Sequence, residues 1–159
     1  MLPDDARSTL PLQHRERVLA AAQLADGSWA AATPTALLMH GRRLEWLLTT
    51  YAAWDNDATT LRVDELAAAD GTPHTHELVI DEPGQLPEVV HERVTASIVA
   101  SRHVRLDGRA GVRVVARRVP GQQELVFQVV VDRGLDPAHP QVRAAGEAAM
   151  ADFRRELGG

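Results

Sequence analysis

The sequence predicts an α+β fold: mainly antiparallel sheet of about eight strands, with a short central helix and a long C-terminal amphipathic helix. Three observations predict it. Apolar and polar residues alternate between Leu44 and Asp55, and again from His103 to Ala116. Successive side chains of a strand point to opposite faces, so a period of two gives one face to a core. Turn-forming pairs separate the runs: Asp26-Gly27, Asp107-Gly108 and Pro120-Gly121. They supply the backbone angles that tight reversals need. Beyond Pro140, the apolar residues Val142, Ala145, Ala149, Phe153 and Leu157 recur every three or four positions, the spacing of one helix face.

The elements follow in order. Residues 1–11 are acidic and polar and read as a flexible tail. Residues 12–159 read as a single domain, with 12–95 and 96–159 as candidate sub-units. Glu16–Leu24 and Ser28–Met39 are the first two strands. Pro34 lacks the N–H of a ladder donor, which predicts a bulge or an edge position there. After the turn at His40-Gly41-Arg42 comes Leu44–Asp55, with Leu44, Trp46, Leu48, Ala52 and Trp54 inward. Asp55-Asn56-Asp57 reverses the chain. Thr59–Val63 and His76–Ile80 are strands on either side of a loop at Ala67–Pro73. Pro87 suits the first position of a helix, where a missing N–H costs nothing, and Val90 and Val94 share one side of that helix. Ser97–Leu106, Val112–Val119 and Glu124–Val131 complete the sheet. Asp136–Pro140 opens the last helix, which Gly158 suits as a C-terminal cap.

Composition narrows the function. Apolar residues make up 45% of the chain, enough for a core. With no cysteine, disulfides, thiolate metal sites and a cysteine nucleophile are excluded, and a reducing compartment fits. No apolar run approaches the roughly 20 residues of a membrane span. No signal-peptide pattern opens the chain, so the expected location is cytoplasmic. All 17 basic side chains are arginine, a bias of GC-rich coding such as that of actinobacteria. The net charge of −5 is uneven. Residues 1–96 hold 7 Arg against 15 acids, whereas residues 97–119 hold 6 Arg against Asp107 alone. General nucleic-acid binding, which shows a basic domain, is not expected; a local patch for an anionic partner is.

Gly27-Ser28-Trp29, Ala32-Thr33, Ala36-Leu37-Leu38-Met39, Arg43-Leu44-Glu45-Trp46 and Thr60-Leu61-Arg62-Val63 follow one another in an order that resembles small bacterial pleckstrin-homology-like domains. There, a strand ending in Ala-Thr is followed by a residue pair and an apolar strand. Pro34-Thr35 stand here where a basic pair is usual. The resemblance spans residues 15–95 and implies a half-barrel binding module with no common catalytic residues. The layout also resembles uncharacterised actinobacterial proteins, which supplies no function.

No catalytic signature is present: there is no Gly-x-Ser-x-Gly, glycine-rich phosphate loop or zincin helix. Asp64-Glu65 and Asp81-Glu82 are sequence neighbours, so in a strand they face opposite sides and make poor acid–base pairs. Asp55-Asn56-Asp57 lacks the glycine and distal glutamate of a calcium loop. His74 and His76 share one strand face, with His91 as a third candidate zinc ligand. A polar strand end after Gly71-Thr72-Pro73 is the simpler reading, and no metal or cofactor is assigned. The arginines carry the most information. With Val104, Leu106, Val112, Val114 and Ala116 inward, His103, Arg105, Arg113 and Arg117 share the outer face, and Arg102, Arg109 and Arg118 lie at its rim. The predicted function is a non-catalytic binding module for an anionic or acidic partner. The alternative is a small-ligand carrier or enzyme with an apolar pocket around Trp46, Tyr51 and Trp54. Self-association through strand edges is a third option.

Overall fold

The structure, a computed structural model, describes residues 2–66, 73–118 and 123–157. Among them it is α+β, with ten strands in three antiparallel sheets and three α-helices, the last of them C-terminal. The chain divides into two compact units, Met1–Glu65 with Thr75–Thr95, and Leu66–His74 with Ala96–Gly159.

In the first unit, β1 (Ala20–Gln23), β2 (Trp29–Ala32), β3 (Ala36–Met39) and β4 (Arg42–Glu45) form a meander in sequence order. Ser28–Met39 is thus two strands, not one. Pro34 makes neither a bulge nor an edge but sits in a tight turn, where its fixed φ is an asset. The Thr33 backbone N–H donates to the Ala36 carbonyl at 2.9 Å, and the Thr33 hydroxyl accepts from the Ala36 N–H at 3.1 Å. His40 and Gly41 have φ of 47° and 71°, the double left-handed pair that a two-residue hairpin uses.

All four residues of β3 are buried, because both faces of this meander are covered. Leu37 and Met39 join Leu44, Leu61, Val63, Leu78 and Ile80 in one core. Ala36 and Leu38 join Leu2, Ala6 and Leu10 in another. That second cover is α1 (Asp4–Thr9), where the sequence reading has a flexible tail. The polar residues of 1–11 face water, while Leu2, Ala6 and Leu10 recur at a spacing of four and dock.

Trp46–Leu48 forms a 3-10 turn that interrupts the expected Leu44–Asp55 strand. Buried Trp46 donates its indole N–H to the Thr33 carbonyl at 2.9 Å, and this anchor breaks the alternation. The chain then enters β5 (Thr49–Asp55), β6 (Thr60–Leu66) and β7 (Pro73–Val79), ordered β5-β6-β7. At the Asp55 turn, the carboxylate accepts the N–H groups of Asp57 and Ala58 at 3.0 and 3.1 Å. Of the expected loop at Ala67–Pro73, residues 67–72 lie outside the described residues, and Pro73 instead opens β7. Leu86, Val90 and Val94, spaced four apart in α2 (Leu86–Ala96), cap the core. Pro87 is the second helical residue, still within the turn whose N–H groups have no helical partner.

One polar network ties the start of this unit together. The Glu16 carboxylate takes both Arg43 guanidinium arms at 2.6 and 2.8 Å, the Thr33 and Thr35 hydroxyls at 2.9 and 3.0 Å, and the Gln13 N–H at 3.0 Å. Chiefly because of Arg43, its pKa is lowered from 4.5 to about 2. Glu16 binds a proton more readily in the unfolded chain. Its stabilisation is therefore complete above pH 4.5 and is lost as the pH falls toward about 2. Glu16→Gln is expected to cost about 2 kcal/mol at neutral pH and to flatten the fall of stability in that acid window. Urea titrations at several pH values measure both effects, and an unchanged acid limb would refute the assignment.

In the second unit, β8 (Ile98–Asp107), β9 (Ala110–Arg118) and β10 (Leu125–Val131) form a meander with β9 central. Val112, Val114 and Ala116 face α3 (Pro140–Glu156), whose Val142, Ala149 and Phe153 are buried. The predicted helix face is the observed one. His139 caps the helix by accepting the Gln141 N–H at 3.1 Å. Leu106, expected inward, is 40% exposed. A register shift between Arg105 and Asp107 inserts an extra residue and turns Leu106 away. Val119–Gln122, which include the expected Pro120-Gly121 joint, lie outside the described residues.

Candidate functional site

The arginine face separates into three environments. Arg105 and Arg113 are exposed. Arg113 pairs with His103, and Arg105 with Gly111. The two arginines are diagonal neighbours on one face, at roughly 7–8 Å between backbones. Among the described residues, the ion pairs of this sheet fall on Arg102 and His103 rather than on these two.

His103 is partnered. Its Nε2 lies 2.7 Å from Asp132 Oδ2, the same oxygen that accepts the Gly111 N–H at 2.9 Å. The Asp132 N–H returns to the Gly111 carbonyl at 3.0 Å. Arg102 pairs with Glu156 and lies 5.5 Å from the centre of the Phe153 ring. Both side chains are partnered in place, which leaves Arg105 and Arg113 as the open pair.

Arg117 corrects the parity reading. It shares a face with Arg113 but is 0% exposed. Val115, also on that face, is buried as well. On the face opposite α3, Val115 and Arg117 are therefore covered while Arg113 is open. Arg117 Nη1 donates to the Ser97 hydroxyl at 2.8 Å. Burial pushes its pKa down to about 10, so it still carries its charge at neutral pH.

The aromatic trio spans three degrees of burial. Trp46 is a core residue, Tyr51 is 50% exposed with the Arg62 guanidinium 5.8 Å from its ring centre, and Trp54 packs half-buried on the core. The histidines also separate. His76 meets Glu65 at 3.1 Å, His91 Nδ1 lies 3.3 Å from the Ala52 carbonyl, and His74 is exposed. Among the described residues no group of three or more His, Asp or Glu is placed to hold a metal ion. Asp64 is bonded by Thr75 of β7 at 2.9 Å, and Glu65 by Arg42 of β4 at 3.1 Å, so both carboxylates tie strands of the first unit together.

Two features have no counterpart in the sequence reading. One is the Glu16–Arg43 network, whose members stand 27 residues apart; no short motif signals it. The other is a groove along β1, built partly from backbone. Comparison of the chain with family models, curated proteins and solved structures yields no match.

Proposed function

We propose that the chain is a non-catalytic binding module that recognises an anionic or acidic partner through Arg105 and Arg113. The observation that carries this reading is the open pair itself. Two guanidinium groups stand diagonally on adjacent strands, while the neighbouring His103 and Arg102 are already bonded to Asp132 and Glu156. A planar guanidinium offers paired donors to carboxylate or phosphate oxygens. The pleckstrin-homology-like reading of residues 15–95 agrees with a binding role. Residues of that span form two successive meanders and a helix on one core; the half-barrel is what the resemblance implies for them.

Substitution to glutamine separates the three arginines. Arg105→Gln with Arg113→Gln should leave the melting temperature nearly unchanged, because both side chains are solvated. Arg117→Gln should destabilise by about 2 kcal/mol, since it disturbs a buried hydrogen-bonded cation. Binding is read by titrating a poly-glutamate peptide at low salt. The wild-type protein is expected to bind it in a salt-sensitive way, and the Arg105/Arg113 double variant to lose that binding. Equal binding by both proteins, or none by either, would end the proposal.

A further inference from the structure

We infer that the outer edge of β1 accepts an extended, arginine- or lysine-bearing peptide segment as an added strand. The position of β1 starts the argument: it is the terminal strand of its sheet. Within the β1–β2 hairpin, the Leu24 N–H donates to Ser28, so Leu24, Ala22 and Ala20 form the bonded pairs. Ladder alternation then turns the peptide groups of Ala21 and Gln23 away from β2. Ala25, the next residue of that outward row, donates its N–H to the Val79 carbonyl at 2.8 Å. The row thus already takes one strand-like partner from this chain. After Ile80 the chain bends off through Asp81–Gly84, and a groove of about 670 Å³ opens between this loop and the β1 edge.

The groove walls select the occupant. Ala21 and Gln23 line one side, and the exposed Asp81 and Glu82 the other, with half-buried Trp29 beside them. The backbone edge supplies donors and acceptors in strand register, the mode by which sheets capture extended peptides. The two carboxylates favour cationic side chains, and Trp29 offers a ring face on which a guanidinium stacks. The excess of acids in residues 1–96 repels an acidic segment. Ala20–Gln23 contains no proline and no charge, the devices that usually blunt an edge. This surface has the opposite charge preference to the Arg105–Arg113 pair, so the two readings stand or fall separately.

The probe is a six-residue peptide of alternating arginine and valine, titrated into the full chain and followed by amide NMR. We expect the amides of Ala21 and Gln23 to shift. We expect Asp81→Asn with Glu82→Gln to weaken binding by about tenfold, a difference of roughly 1.4 kcal/mol. The same peptide N-methylated at alternate nitrogens keeps its charge but cannot pair and should bind at least about tenfold more weakly. Gln23→Pro removes an outward donor while sparing the bonds to β2 and should abolish binding in a folded protein. Failure of the peptide to bind, equal affinity for the N-methylated peptide, or undiminished binding by either variant would overturn the inference.

Discussion

Phe153→Ala is expected to lower stability by about 3–5 kcal/mol, the range for removing a large aromatic from an enclosed site. Phe153 is 4% exposed and meets Phe127 edge-to-face with ring centres 6.2 Å apart. Val114, Ala116 and Ala149 complete its cluster. Alanine leaves a void bounded by strand residues that cannot collapse without breaking β9 pairing. The neighbouring position is the control. Arg154 is exposed, with its guanidinium 4.8 Å from the Phe127 ring centre. Arg154→Ala should cost about 0.5–1 kcal/mol, the worth of an exposed cation–π contact. Denaturant titrations of the two variants compare them directly, and similar losses would show that α3 does not bury the assigned face.

Gly111→Ala is the second large effect, at about 3 kcal/mol. A Cβ at this position would stand 1.9 Å from the Val104 carbonyl oxygen and 2.9 Å from the Arg105 Cα. Both obstacles are backbone, so no rotamer change relieves the clash, and β8 must separate from β9. Gly111 also bonds Asp132 through both its N–H and its carbonyl, and a displaced strand loses these contacts as well. Ala110→Gly, one residue earlier, should cost only about 0.5–1 kcal/mol through chain entropy. Calorimetry of both variants decides the matter. A Gly111→Ala protein as stable as Ala110→Gly would mean that the strands do not approach this closely.

Much of this architecture was legible in the sequence, for identifiable reasons. The alternation from His103 to Ala116 and the Val142–Leu157 stripe are periodic signals, and the chain after Thr95 is rich in β-branched residues. In the structure, β8, β9 and α3 fall close to the expected limits. Among the described residues the strands number ten rather than eight, because Pro34 reverses the chain and Trp46 anchors a turn. Pro34 acts through its fixed φ in a local turn, and Trp46 through a bond to Thr33, 13 residues away. Parity says which residues of β9 share a face but not whether that face is covered, so Arg113 and Arg117 read alike and differ in burial. A bulge cannot be read from residue type, and it reversed Leu106. Of the candidate site, the open arginine pair was visible as charge. The β1 groove was not, because backbone edges leave no mark on amino-acid identity.

Every strand pairing recorded among the described residues joins strands consecutive along the chain: β1 to β4, β5 to β7, and β8 to β10. That order has a kinetic consequence. Bringing two strands together closes only the short loop between them, and the entropy of loop closure grows with its length. Such local topology belongs to the faster-folding end of β-rich proteins. During synthesis, each hairpin finds its partner within the segment just made, so few strand edges wait exposed for a distant mate. The bond between Glu16 and Arg43 spans 27 residues, so its closure costs more chain entropy than any single hairpin of the first meander, and it ties the segment before β1 to β4.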